Sequence, residues 1–194
     1  MTITLDNLIE SSFVISIDKE RYDAFVSSLR HTGMSSIPRL IDGFTVNSKP
    51  VKGYNLPALN FPILGNSFTH ASIVKYGKTF NKDFVCIFED DAFPCTDIST
   101  KLQYYLTDIP DDAEILKLGI SVVTHSNNAK LIGNKFIKNI RTWGSHAYIV
   151  FKSYYDKYFQ LFKNDIICDS SVFNNSDNIY VTKENLFIQR NIIS

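Results

Sequence analysis

Five consecutive apolar residues, Phe84-Val85-Cys86-Ile87-Phe88, run without a break into three acids, Glu89-Asp90-Asp91. A strand exposed to water on one face alternates apolar with polar side chains. This run does not alternate, so it reads as a strand buried on both faces. Phe13-Val14-Ile15-Ser16-Ile17, ended by Asp18, is a second β-branched run of the same kind.

The segments between such runs have helical spacing. In residues 19–29 the apolar positions Tyr22, Phe25, Val26 and Leu29 share one helical face. Gly33 lies just beyond, where a C-cap glycine is expected. Residues 37–41 suggest another strand, with Asp42-Gly43 as its turn. Residues 49–62 hold three prolines and a glycine and read as loop. After Gly65 the pattern is helical again, with Phe68, Ala71, Ser72, Ile73 and Tyr76 facing inward, and Gly77 is expected to end or interrupt the helix. Residues 102–106 look helical, and residues 114–118 and 147–151 look like strands. A helix follows from Ser153, and the Ser- and Asn-rich residues 121–134 are expected to form a mobile loop. Alternating strands and helices predict an α/β layered domain with a mainly parallel central sheet, spanning residues 1–194 as one domain.

Lys plus Arg and Asp plus Glu both number 20, so there is no basic field to gather nucleic acid. No uninterrupted apolar stretch approaches membrane-spanning length, and the first ten residues lack the basic start of a signal peptide. A cytoplasmic protein is expected, with any membrane role confined to peripheral contact at the inner face. Cys86, Cys95 and Cys168 have no C-x-x-C spacing, and an odd number cannot all pair within the chain, which fits a reducing compartment. Cys86 reads as a small buried hydrophobe.

In open α/β sheets ligands collect beyond the carboxyl ends of the strands, where Glu89-Asp90-Asp91 fall. Clustered carboxylates repel one another and make a divalent cation a natural companion. Hard oxygen ligands suit magnesium or manganese, which commonly bridge carboxylates to a diphosphate and offset charge on it as it departs. The same triplet also reads as a strand end entering the turn before Pro94.

Four features in fixed order resemble glycosyltransferase family 25, the lipooligosaccharide glycosyltransferases. They are Ile15-Ser16-Ile17-Asp18 with Glu20-Arg21, Ile41-Asp42-Gly43, Gly65-Asn66-Ser67-Phe68-Thr69-His70, and Ile87-Phe88-Glu89-Asp90-Asp91-Ala92. Leu116-Lys117-Leu118-Gly119, Gly144-Ser145-His146-Ala147-Tyr148, Asp169 and the closing Leu186-Phe187-Ile188-Gln189 are similar to later family segments. Asn66 and Thr69 depart from the family's Cys and Ser.

The resemblance implies a GT-A-like nucleotide-sugar domain and an inverting transfer of a hexose, galactose foremost, to a cell-surface glycan, as in lipopolysaccharide biosynthesis. The implied donor is a UDP-hexose. Asp18, Arg21, His70, Glu89 and His146 are then candidate donor contacts, and Glu89 and Asp91 candidate ligands of a manganese or magnesium ion. Asp90 is expected to point sideways and fix the loop. An inverting transfer needs a base, for which Asp169 is the candidate and Asp165 the competitor.

Each assignment has a structural counterpart. Arg21 also fits a solvated first-turn helix residue, a lone His70 or His146 a structural histidine, and Asp169 a helix N-cap. Trp143 and Tyr148 fit either the core or an acceptor platform. Two other functions fit the same chain: a non-catalytic nucleotide-sugar- or glycan-binding protein, and a nucleotidyltransferase. The latter calls for a Gly-rich basic phosphate loop near the first strand, and none is visible.

Overall fold

The computed structural model describes residues 1–45, 47–49, 61–126, 128–164, 173 and 175–190. Asp165, Cys168 and Asp169 lie outside the described residues, as does most of the expected loop 49–62.

The chain begins with a short helix α1 (Leu5–Glu10), absent from the sequence expectations, and enters β1 (Ser12–Ser16). Helix α2 (Lys19–His31) leads to β2 (Arg39–Asp42), and α3 (Phe61–Thr79) leads to β3 (Phe84–Glu89). A turn at residues 90–91 opens β4 (Ala92–Pro94), followed by α4 (Ile98–Leu106) and β5 (Ile115–Lys117). Four short strands come next: β6 (Val122–His125), β7 (Lys130–Ile132), β8 (Phe136–Lys138) and β9 (Arg141–Trp143). Then β10 (Ala147–Phe151) runs through a 3-10 turn, Lys152–Tyr154, into α5 (Tyr155–Asn164). Strands β11 (Ile179–Thr182) and β12 (Phe187–Gln189) complete the described elements.

Eight strands form one sheet in the order β2-β1-β3-β10-β5-β11-β8-β7. Strand β1 pairs in parallel with β2 and β3, and β5 with β11. Strand β10 is antiparallel to β3 and β5, and β8 to β11 and β7. Six of the eight strands therefore run one way, and β10 and β8 run against them. The mainly parallel α/β sheet expected from the sequence is present, with a reversed strand at its centre.

The unalternating runs do what their composition requires. Along β3, Phe84, Cys86 and Phe88 join the core on one face, with Phe25 and Leu29 of α2 and Leu102 of α4. Val85 and Ile87 join the other, with Ile73 and Val74 of α3 and Tyr158 of α5. The period of two sends successive side chains to opposite helix layers, and both layers are apolar. Each such buried Phe, Ile or Leu contributes roughly 2 kcal/mol by the area it removes from water.

Three expectations need correction. Helix α3 begins four residues before Gly65, with Pro62 in its first turn, where the missing N–H costs nothing. It also runs through Gly77 rather than stopping there. The reason is packing: a Cβ on Gly77 would lie 2.6 Å from the Tyr155 hydroxyl and 2.8 Å from Val85, so the glycine admits the helix to the sheet. Residues 121–134, expected as a loop, hold β6 and β7, which pair with β9 and β8. The Val122-Val123 and Leu131-Ile132 pairs are too short to stand out until these partners supply a ladder. No helix among the described residues is long and apolar enough to cross a membrane.

Candidate functional site

From β1 the chain passes through α2 to β2 on one side, then through α3 to β3 on the other. The carboxyl ends of β1 and β3 therefore bound the crevice where the strand order reverses, the expected ligand position in such a sheet. A cavity of about 280 Å³ opens there, lined by Ile15, Ser16 and Ile17 at the end of β1, Gly43 and Phe44 after β2, Asn66 and Thr69 of α3, and Glu89 and Asp90 at the end of β3, among others. Its back wall depends on Gly65, where an added Cβ would meet the Phe44 carbonyl oxygen at 2.1 Å. The Thr69 hydroxyl accepts from the Phe44 amide at 2.8 Å and holds the β2 loop to the helix.

A larger cavity, about 1090 Å³, lies toward the opposite edge of the sheet, beside β7, β8 and β9. Lys130, Lys138 and Arg141 line it, and Asp177 is the sole carboxylate among its described lining residues. Glu89 and Asp90 and the ends of β1, β2 and β3 converge on the smaller cavity, with Asp91 next in the chain, and we place the site there.

The three acids have three environments. Glu89 Oε1 accepts from Asn66 Nδ2 at 3.1 Å, His70 Nε2 at 3.0 Å and Ser145 Oγ at 2.6 Å. Burial pushes the Glu89 pKa up, but hydrogen bonding and charge from His70, with the Ser145 and Asn66 bonds, more than offset it and hold the group at about 2. Glu89 is ionised at neutral pH.

Asp90, expected to point sideways, turns inward. Its carboxylate accepts from Ser16 Oγ at 2.6 Å and from the Arg21 guanidinium, and its amide donates to the Ile15 carbonyl at 3.1 Å. Burial raises its pKa against the opposing Ser16 and Arg21 contacts. Asp90 thus ties β3 to the end of β1.

Asp91 is the unsatisfied member. Its Oδ2 accepts from Gln189 Nε2 at 3.2 Å, while Oδ1 is buried without a hydrogen-bond partner. Burial pushes its pKa up to about 6, with the Glu89 and Asp90 charges adding to the rise. An orphaned carboxylate oxygen in an acidic setting is the environment a cation corrects. Among the described residues no three His, Cys, Asp or Glu side chains form a metal-ligating group. A magnesium-like ion fits such a place through one or two carboxylates, with substrate phosphates completing its shell. Alternate residues face one side only in extended chain, whereas residues 90–91 form a turn. Glu89 and Asp91 accordingly engage different partners.

The remaining candidates are placed as follows. Asp18 Oδ1 caps α2, accepting from the amides of Glu20 at 2.7 Å and Arg21 at 3.2 Å. Arg21 lines the cavity and binds Asp90. His70 is fully buried, with Nε2 on Glu89 and Nδ1 at 2.7 Å from the Tyr148 hydroxyl, so it meets a ligand only through Glu89. His146 is also fully buried, with Nε2 at 3.2 Å from the Phe187 carbonyl. Tyr148 belongs to the core, whereas Trp143 is exposed on β9. Cys86 is buried as expected, its thiol pushed up to about 12 by burial.

Asn66, Ser145 and Gln189 were not among the sequence candidates. Asn66 and His70 stand four residues apart and so share a helical face, the one signal available beforehand. Ser145 and Gln189 lay inside family-like segments without an assigned role. Gln189 is oriented by Ser121, whose hydroxyl donates to its Oε1 at 2.6 Å.

No family model matches the chain, and no curated protein matches it. Among solved structures, the chain is similar to a glycosyltransferase involved in the glycosylation of the major capsid of PBCV-1. That likeness has a TM-score of 0.51 at 10% identity, covering 94% of this chain and 93% of that one. HddC from Yersinia pseudotuberculosis gives a TM-score of 0.47 at 12% identity, covering 92% and 93%. The same protein complexed with GMP-PN gives 0.46, with the same identity and coverage. The first of these likenesses defines the class: the chain has a fold shared with a glycosyltransferase.

Proposed function

We propose that this chain is a GT-A-like glycosyltransferase that moves a hexose from a nucleotide-sugar donor to a glycan acceptor. The observation that carries the reading is the crevice between β1 and β3, where Glu89 lines a cavity and the neighbouring Asp91 keeps a buried oxygen without a partner. The motif resemblance to glycosyltransferase family 25 supports galactose from a UDP donor, an inverting course and a cell-surface glycan acceptor.

In this reading the nucleoside enters the cavity between Ile15, Ile17 and Phe44, and Glu89 accepts a hydrogen bond from its ribose. Arg21 and Asp18 hold the β1–α2 corner beside it. Asp91, oriented by Gln189, would hold a manganese or magnesium ion together with the donor diphosphate, and the ion would offset charge on the departing nucleoside diphosphate. Asp169 is the proposed base. It takes the proton from the acceptor hydroxyl as that oxygen bonds to the anomeric carbon and the bond to the diphosphate oxygen breaks.

The test is donor hydrolysis and transfer with a panel of nucleotide sugars, with and without manganese. Turnover of one nucleotide sugar, stimulated by manganese, is expected. Absence of both turnover and binding for every donor would refute the enzyme reading, and metal-independent turnover would refute the role of Asp91.

A further inference from the structure

Three donors from two separate parts of the chain land on one oxygen of Glu89. Asn66 and His70 come from the same face of α3, and Ser145 comes from the turn before β10. The antiparallel pairing of β10 with β3 brings the turn alongside, and the Glu89 amide donates to the His146 carbonyl at 2.8 Å. The other oxygen, Oε2, has no hydrogen-bond partner among the described residues. The side chain keeps 15% of its surface exposed and lines the cavity.

Behind this carboxylate His70 is locked. It is wholly buried, its ring lies 5.6 Å from that of Tyr148 at an interplanar angle of 12°, and the Tyr148 hydroxyl holds Nδ1. Tyr148 is wedged in turn by an edge contact with Phe173, 4.7 Å between centroids. An ionised carboxylate only accepts, so Nε2 carries a hydrogen whichever state the ring adopts. The chain Tyr148–His70–Glu89 therefore fixes which carboxylate oxygen turns inward and which faces the cavity.

We propose that His70, backed by Tyr148, is a positioning residue that presents Glu89 Oε2 to the hydroxyls of a bound ribose and so sets discrimination for ribonucleotides. It rests on the reading of Glu89 as the ribose acceptor. His70 does not touch the ligand. Its effect reaches the ligand only through Glu89, so it governs selectivity for the ribose rather than every contact the ligand makes.

The experiment is calorimetric titration of the protein with the four common ribonucleoside diphosphates and their 2′,3′-dideoxy counterparts. For the tightest pair, wild type is expected to favour the ribo form about tenfold, the loss for one forfeited hydrogen bond to a charged group. His70→Ala should bring that ratio close to one, chiefly by loss of affinity for the ribo form. His70→Gln places an amide nitrogen near the position of Nε2 and should restore most of the ratio. Tyr148→Phe keeps the ring and removes one oxygen, and should lower the ratio about threefold, which carries the test should His70→Ala not fold.

A ratio unchanged in both His70→Ala and Tyr148→Phe would overturn the positioning role, provided Glu89→Ala abolishes it. A ratio that survives Glu89→Ala would instead remove the reading of Glu89, and the proposal with it. Binding of no ribonucleoside diphosphate would remove both.

Discussion

Asp91→Asn separates a carboxylate placed for a cation from one that merely ends a strand. The Asp91 pKa rises from its ordinary 3.8 to about 6 in the folded chain, chiefly through burial. The folded state therefore binds this proton more tightly than the unfolded state. The associated stability is fully present below 3.8 and is lost as pH rises through about 6. A rise of that size corresponds to about 3 kcal/mol. Asp91 is partly exposed, and solvent screening brings the expected figure to roughly 1–2 kcal/mol. The asparagine can turn its oxygen toward Gln189 and leave an uncharged amide where the unpartnered Oδ1 stood. Without divalent metal at pH 7.5 the variant should be more stable than wild type by that amount, or roughly 2–4 °C in Tm per kcal/mol for a chain of this size. At pH 4 the advantage should vanish. Glu89 does not confuse the window: its pKa is lowered to about 2, so its contribution is present above 4.5 and fades only toward that lower value. Manganese at a hundredfold excess over its Kd should stabilise wild type by about 2.7 kcal/mol, and the variant far less. Thermal melts at four pH values, with and without manganese, read all of these effects. A metal-free variant less stable than wild type at pH 7.5, or a difference that ignores pH, would refute the reasoning.

Two further perturbations test the walls of the site. Gly65→Ala forces a Cβ to within 2.1 Å of the Phe44 carbonyl oxygen, so α3 or the loop after β2 must move. Urea unfolding should show a loss of about 2–3 kcal/mol, and nucleotide affinity should fall with it. Gln189→Ala releases Asp91 Oδ2 and should weaken manganese binding about tenfold, read by calorimetry in the presence of nucleoside diphosphate, with little change in metal-free stability.

The layered fold was legible because its central strands carry the signal locally. Residues 84–88 and 13–15 are apolar on both faces, and helix α2 beside them carries a clear apolar stripe. Strands of three residues such as β7 and β8 carry no such signal, because a pair of apolar residues becomes a strand only when a distant partner supplies the ladder. The reversed direction of β10 was hidden for the same reason. Residues 147–151 are as apolar as β3, and composition does not encode which way a buried strand points. Gly77 misled because a helix-interior glycine and a helix-ending one look alike in sequence. They are told apart by Tyr155, which is 78 residues away.

At the site, residue type located the chemistry but did not divide it. Treating Glu89 and Asp91 as a pair assumes that the chain stays extended through Asp90. Ser16 and Arg21 draw Asp90 into the protein, and the backbone turns there. Glu89 is then captured by α3 and the turn before β10, while Asp91 is left to Gln189 on the last described strand. The inward pull on the middle acid makes the outer two unequal. One becomes a firmly ionised acceptor with a single free oxygen, and the other a partly buried carboxylate with one oxygen on Gln189 and one without a hydrogen-bond partner. The proposed function uses both kinds of group, a fixed acceptor for hydroxyls and an under-compensated anion for a cation. Asp90, which touches neither ligand in the proposed function, is the residue that separates them.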